Sequence, residues 1–178
     1  MRRVVRTFVS FLFAIAVASV TVARAQDSWS TLSVSAGYMD FDLSGTGQTT
    51  GVAIRATRPL TSSIVLEVGS TFARPCQQFQ DCKGVGPATL FAPEAQLQYH
   101  WTLGRVEPYV GGGIGASALR SSFHTDWEPT VSFGAGTGVR LSDQLALTGE
   151  FRVRGHHWRF VGTTTEVSAG LAWRLPTF

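Results

Sequence analysis

The chain has 178 residues, with 15 basic and 12 acidic side chains and a formal net charge of +3. Four of the basic residues and none of the acidic ones lie in the first 25 residues, so residues 26–178 carry 11 basic and 12 acidic side chains, a net charge of −1. This balance excludes the basic footprint that is typical of a nucleic-acid-binding protein. Lys83 is the single lysine of the chain, whereas soluble β-sheets usually cover their outer face with lysine and glutamate.

Residues 1–25 have the pattern of a secretory signal peptide. A basic start ("MRRVVR") precedes an apolar run over residues 8–20, and "ARA" (23–25) has the small residues of a cleavage site. A retained membrane anchor is the alternative, but the apolar run is shorter than the ~20 residues that a spanning helix needs. We therefore expect the mature chain to begin at Gln26, which is not the cysteine of a lipoprotein.

Eight segments with a period of two follow, and a period of two is the signature of a β-strand. Tight turns follow the second, fourth and sixth segments, and longer polar loops follow the first, third, fifth and seventh. Outer-membrane barrels have short turns in the periplasm and long loops outside, and strands of about 11 residues match a tilted bilayer crossing. We therefore predict that residues 26–178 form one all-β domain, an eight-stranded antiparallel up-and-down transmembrane β-barrel. The approximate limits of the strands are 29–41, 48–58, 62–72, 89–101, 106–118, 129–140, 144–155 and 163–175.

The two faces of the predicted strands differ sharply in polarity. In "LALTGEFRVRG" (145–155) leucine, phenylalanine and valine occupy one face, and threonine, glutamate and arginine occupy the other. Across the strands, one face is apolar and the other is serine, threonine, glycine and charged residues. The charged face has five acids and five arginines, and a narrow lumen needs such pairing whereas a solvated face does not. We therefore place the apolar face in lipid and the charged face inside.

The predicted lumen charges form either a structural network or a conduction filter. The interior of a barrel of eight strands is normally filled by side chains, which favours the structural network. A small passive channel is the alternative that the sequence leaves open. The ten predicted lumen residues are Arg55, Glu67, Glu94, Glu107, Arg140, Glu150, Arg152, Arg154, Glu166 and Arg174.

Glycines on the fifth and sixth strands support the same assignment of faces. All six have inward parity, so these strands lack inward bulk and leave room for Arg152 and Arg154. The "GGGIG" run lacks the spacing and the following helix of a phosphate-binding loop. The six glycines are Gly111, Gly113, Gly115, Gly134, Gly136 and Gly138.

Aromatic residues gather near the strand ends, as the girdles of a membrane barrel do. At the turn end these are Trp29, Tyr99, Trp101 and Trp173, and at the loop end Tyr38, Phe72 and Phe91. A closed barrel is also the one β-architecture that leaves no unpaired backbone in hydrocarbon.

The stretches "VEPYVGGGIGAS" (106–117), "GTGVRL" (136–141) and "EVSAGLAWRLPTF" (166–178) resemble the small OmpA-like and opacity-type outer-membrane barrels. The resemblance implies an outer-membrane location, contact with lipid and lipopolysaccharide, and no cofactor or metal; we expect a monomer. It also implies that Phe178 is the C-terminal signal for the barrel-assembly machinery. Phe178 is off the lipid-facing parity of Leu171, Trp173 and Leu175, and Pro176 offers a reason for that break in register.

Cys76 and Cys82 lie in the longest predicted loop, separated by five residues. Exported proteins meet an environment that allows disulfides, so we predict a bond that shapes this loop. Two free thiols or a metal pair are the alternatives, and no histidine or third cysteine lies nearby.

His156 and His157 follow the seventh strand, where we expect a solvated loop base. Outer-membrane lipid A deacylases are small barrels with a histidine, a serine two residues later and a glutamate. His157 and Glu166 match the first and last of these, but Arg159 stands at the nucleophile's position and cannot attack an ester. The protein is therefore predicted not to be an enzyme, with the hydrolase as the more distant alternative.

The sequence thus predicts an integral outer-membrane protein that presents four extracellular loops in a structural or surface-interaction role. The loop stretches "SSFHTDWEPT" (121–130) and "HHWRFVGTT" (156–164) mix aromatic and polar residues. Such tips suit contact with a host surface, another protein or lipopolysaccharide, and they equally suit no particular partner.

Overall fold

The computed structural model describes residues 30–41, 47–74, 89–120, 125–157 and 162–175. Eight antiparallel strands pair in sequence order and close into a barrel through β1 and β8, with Val34 opposite Leu171 at the closing seam. The predicted fold class is confirmed. The strands are β1 (Ser30–Phe41), β2 (Thr49–Pro59), β3 (Ile64–Ala73), β4 (Thr89–His100), β5 (Val106–Arg120), β6 (Thr125–Arg140), β7 (Leu145–His156) and β8 (Thr163–Leu175). No helix among the described residues is long and apolar enough to cross a membrane.

Strand β6 begins earlier than the sequence predicts. It starts at Thr125, where a loop was expected through residue 128, and its register with β5 continues to the pair Arg120 and Thr125. The alternation of faces also continues through this stretch, but Pro129 and the polar composition hide it. At 15 and 16 residues, β5 and β6 are therefore the longest strands of the barrel.

The faces of the strands are sorted by polarity. On β7, Leu147 and Phe151 are 48% and 49% exposed on the outside, whereas Arg152 is fully buried inside. The polar residues fill the interior because the barrel has no other place to pair their charges, and large apolar side chains are exposed on the outside of every strand.

The interior at the loop end departs from the predicted composition of serine, threonine, glycine and charges. Met39, Phe41, Ala73 and Leu90 are buried there and pack together with Leu119. These five residues, called the apolar layer below, have inward parity on β1, β3, β4 and β5. On these strands they lie between the charged interior and the loops.

The inward glycines accommodate side chains from neighbouring strands. Gly113 of β5 lies opposite Gln96 of β4, and a Cβ at Gly113 would overlap both that side chain and the backbone of Ala95. Gly134 of β6 lies beside the Arg152 side chain. A Cβ built on Gly134 would be 3.7 Å from Arg152 Nε. The β5 glycines therefore make room for β4, whereas a Cβ at Gly134 would make only ordinary contacts with Gln96 and Arg152.

Alanine at Gly113 should destabilise the barrel by about 1–3 kcal/mol, because the overlap involves backbone that cannot move aside. The matched control is Gly138→Ala, since nothing lies within 4 Å of a Cβ at Gly138. Urea unfolding in lipid vesicles, followed by tryptophan fluorescence, measures both. Equal stability of the two variants would contradict this packing.

Candidate functional site: an ion-pair network in the lumen

Arg152 is the centre of a buried ion-pair network in the middle of the barrel. Its Nη2 donates to Glu67 Oε1 and its Nε to Glu150 Oε1, each at 2.6 Å, and its Nη1 contacts Glu94. All five N–H donors of a guanidinium are fixed in one plane, so arginine can serve several carboxylates at once where lysine cannot.

Arg154 and Arg55 extend the network toward the loop end and across the barrel. Arg154 donates to Glu166 at 2.8 Å and to Glu94 at 2.9 Å. Arg55 lies 3.0 Å from Glu166, 3.4 Å from Glu150 and 3.6 Å from Glu67. The barrel closure brings β2 and β8 residues together although they are 111 positions apart in the chain.

Each of the four carboxylates bridges two arginines. The pairs are Glu67 with Arg55 and Arg152, Glu94 with Arg152 and Arg154, Glu150 with Arg55 and Arg152, and Glu166 with Arg55 and Arg154. These seven residues are called the ionic network below. It has one carboxylate more than it has guanidiniums, and neutral donors complete the shell. Gln98 donates to Glu67 at 2.9 Å and the Tyr109 hydroxyl to Glu150 at 2.5 Å.

The three remaining predicted lumen residues lie apart, near the turn end. Arg140 contacts Glu107, and Arg174 lies 3.8 Å from Glu107. Their side chains are about one-third exposed, unlike those of the ionic network. A cavity of about 140 Å³ lies between this rim group and the network, and its lining includes Arg55, Glu67 and Glu150.

His156 is buried, which corrects the expectation of a solvated position for both histidines. It has the same parity as Arg152 and Arg154, and only 3% of it is exposed. Its Nε2 lies 2.9 Å from Thr164 Oγ1, and its Nδ1 lies 3.3 Å from both Ser117 Oγ and Glu128 Oε2. Four polar side chains therefore satisfy one another beside the apolar layer.

The residues of the hydrolase hypothesis do not come together. His157 is exposed, has a positive φ of 54°, and lies 3.8 Å from Glu128. Glu166 faces the lumen and is held by Arg55 and Arg154. Position 159 lies outside the described residues, as do Cys76, Cys82 and Phe178.

Several lumen residues escaped the sequence analysis. Gln96, Gln98 and Tyr109 are buried and face inward, and Gln96 donates to Ser132 at 2.9 Å. Their parity was readable, because Gln96 and Gln98 alternate with Leu97 and Tyr99 of the outward face. Among the described residues, no group of three or more histidine, cysteine, aspartate or glutamate side chains is placed to hold a metal ion.

A closed barrel of eight strands, apolar outside and ionic inside, is what a bilayer-spanning chain requires. The family model described as the outer membrane protein beta-barrel domain matches residues 10–174. The chain belongs to this family. It is accordingly an outer membrane protein, and the apolar outward face of this outer membrane barrel contacts lipid acyl chains.

Solved structures share the fold of this outer membrane barrel at low sequence identity. Neisserial surface protein A (NspA) is 12% identical with a TM-score of 0.63, covering 84% of this chain and 98% of that chain. OprG from Pseudomonas aeruginosa is 10% identical with a TM-score of 0.58, covering 85% and 98%. Ail of Yersinia pestis, solved in complex with the heparin analogue sucrose octasulfate, is 11% identical with a TM-score of 0.56, covering 84% and 100%. No curated protein has a sequence that matches this chain significantly.

Aromatic pairs lie on the outward face of this outer membrane barrel at both ends. Tyr99 and Trp101 make an edge contact at the turn end, with centroids 4.9 Å apart. Phe72 and Phe91 lie 5.2 Å apart at the loop end, and Trp127 adds an edge contact to Phe91 at 6.3 Å. Trp127 therefore joins Tyr38, Phe72 and Phe91, the aromatic residues predicted at the loop end. Trp29, predicted at the turn end, lies outside the described residues.

Proposed function

We propose that this outer membrane barrel is a closed scaffold that presents four loops at the cell surface and conducts no solutes. The observation that carries the proposal is that the lumen is filled in two successive layers. The ionic network occupies the middle, with Arg152 at 0% and Arg154 at 2% exposure. The apolar layer occupies the loop end, with Met39 at 0%.

The two layers oppose conduction for different physical reasons. Moving one charged group out of the ionic network would leave a carboxylate or guanidinium buried without its partner, which costs several kcal/mol. An ion that crosses at the apolar layer would lose its hydration, and the polar side chains of the His156 group beside that layer are already paired with one another. The cavity at the turn end does not join the two sides, because the ionic network forms part of its lining.

Conductance of the full-length protein in planar bilayers tests the proposal. We expect no steady current steps, with insertion checked separately by heat-modifiable gel migration. The double variant Met39→Ala/Phe41→Ala truncates the two β1 side chains of the apolar layer. It should stay insulating, because the ionic network remains. Tyr38→Ala, at an outward-facing residue of the same height, is the control. Steady steps from the unmodified protein would establish the passive channel instead.

We further propose that the barrel has no lipid A hydrolase activity. His157 and Glu166 lie on different surfaces, and Glu166 is engaged by two arginines inside the lumen. Mass spectrometry of lipid A from expressing cells tests this proposal. An unchanged acyl pattern is expected, and loss of one acyl chain on expression would overturn it.

The expectations for the chain ends and the cysteines remain proposals. Cleavage after Ala25 predicts an intact mass that corresponds to residues 26–178. A Cys76–Cys82 bond predicts that this mass is lower by two hydrogens than the mass of the reduced chain. Phe178 is proposed as the signal for the barrel-assembly machinery, so Phe178→Ala should lower the folded yield in cells but not refolding in detergent. The mass of the uncleaved chain would contradict cleavage, and the mass of the reduced chain would contradict the disulfide. An unchanged cellular yield of Phe178→Ala would contradict the role of Phe178.

A further inference from the structure

We propose that the outward surface of β3 to β6 at the loop end binds a phosphate group of an outer-leaflet glycolipid through Arg74 and Arg120. The inference rests on the proposed function, because a scaffold with a closed lumen acts through its outward surface and its loops. It assigns a partner chemistry to one side of the barrel.

The lower part of this surface is an aromatic row. The registers place Phe72, Phe91, Ala118 and Trp127 side by side on four adjacent strands. Ala118 is only 5% exposed although its Cβ points outward, because its two neighbours in the row are aromatic. Phe72 and Trp127 remain more than 40% exposed, so the row presents aromatic surface over about 14 Å, three strand spacings, to the lipid.

The two arginines lie one step above this row. Arg120 follows Ala118 by two residues within β5, so it lies on the same face about 7 Å nearer the loop end. Arg74 directly follows the last residue of β3, two residues after Phe72. Both are exposed. Thr49 Oγ1 donates to the Arg74 carbonyl at 2.9 Å and ties that backbone to β2.

The spacing of the arginines suits one phosphate group with its attached sugar. Arg120 of β5 lies opposite Thr89 of β4. Arg74 directly follows Ala73 of β3, which lies opposite Leu90, the neighbour of Thr89. The two arginines are therefore carried by strands two spacings apart, about 10 Å. Two arginine side chains can converge over that gap on a tetrahedral anion. Guanidiniums bind phosphate oxygens in bidentate geometry, and Thr89 offers a hydroxyl between them.

The charge around the loop end is uneven, which favours this side of the barrel. Thr89, Arg120 and Thr125 form one row above the aromatic residues, and Arg74 follows the end of β3 beside it. None of these four residues carries a negative charge. Asp126 has the inward parity of its partner Leu119. On the far side, Asp40 is exposed on the outward face of β1. Among the described residues of the loop end, the outward positive charge is thus on β5 and at the end of β3, and the outward negative charge on β1, which favours an anionic headgroup at β3–β5.

Native mass spectrometry of the full-length protein in detergent tests the inference, with bis-phosphorylated lipid A and fully dephosphorylated lipid A as the probes. We expect the phosphorylated lipid to bind and the dephosphorylated lipid to bind much more weakly. The double variant Arg74→Gln/Arg120→Gln should weaken binding of the phosphorylated lipid roughly 30-fold, since each basic residue near an anionic surface contributes about a factor of five. Arg74→Lys/Arg120→Lys should keep part of the affinity, because charge remains while the bidentate geometry is lost.

Arg105→Gln is the matched control, an exposed arginine in the turn at the opposite end, and it should bind like the unmodified protein. Three results would overturn the inference: equal binding of the two lipids, an Arg74→Gln/Arg120→Gln variant that binds like the unmodified protein, or full competition by equimolar inorganic phosphate. Each would leave the closed scaffold standing, because conductance measures that proposal independently. Heat-modifiable migration of every variant confirms that the barrel is folded.

Discussion

Replacement of Arg152 by methionine should lower the free energy of unfolding by about 3–5 kcal/mol. Arg152 is fully buried and contacts Glu67, Glu94 and Glu150. Methionine fills much of the same volume but donates no hydrogen bond, so three almost fully buried carboxylates lose a shared partner. The loss comes mostly from the buried charges left behind, and less from the attraction that is removed.

Urea unfolding of the protein in vesicles measures this loss, and two variants make it specific. Arg140→Met removes an ion pair whose side chains are about one-third exposed, and should cost less than about 1 kcal/mol. Arg152→Met/Glu94→Gln removes one of the stranded carboxylates and should recover part of the lost stability. A loss at Arg152 no larger than that at Arg140 would contradict a buried network.

Arginine in place of Phe151 should cost about 2–4 kcal/mol, the penalty for a guanidinium on the lipid face near the middle of a bilayer. Phe151 is 49% exposed on the outside of β7, opposite Ala135 and Val167 on its two neighbours. In lipid the exposed surface is hydrocarbon-facing, so the charge must deform the bilayer or draw in water.

The same unfolding assay measures this penalty, and Leu141→Arg is its control. Leu141 is 56% exposed, but it lies in the turn between β6 and β7, where the interface tolerates charge. The penalty at Phe151 should fall in short-chain lipids, because a thinner bilayer is easier to deform. Equal tolerance of arginine at the two positions would mean that Phe151 does not face acyl chains.

Local alternation was enough to predict the strands and the sorting of their faces. Leu147, Phe151 and Val153 alternate with Glu150, Arg152 and Arg154, and each assignment needs only the neighbouring residues. The strand ends were less readable: β6 starts at Thr125 because pairing with β5 continues past Pro129, and no local pattern reveals that partner.

The geometry of the lumen depends on distant strands and could not be predicted. Which arginine meets which glutamate is set by the register of all eight strands, as in the Arg55–Glu166 contact across β2 and β8. The predicted set of ten charges divides into a buried network of seven and a half-exposed rim group of three for this reason. Parity alone could have placed Met39, Phe41 and His156 inside, but their chemistry favoured other interpretations.

Collision accessibility of spin labels tests directly whether the apolar outward face of the barrel contacts lipid. Single cysteines at Leu147, Phe151 and Leu171, in a Cys76→Ser/Cys82→Ser background, carry the label in a reconstituted bilayer, with Leu141 as the reference at the aqueous boundary. We expect high collision rates with oxygen, which dissolves in lipid, and low rates with a water-soluble nickel chelate at all three positions. High nickel accessibility at those positions would contradict it, because the apolar face would then lie in water.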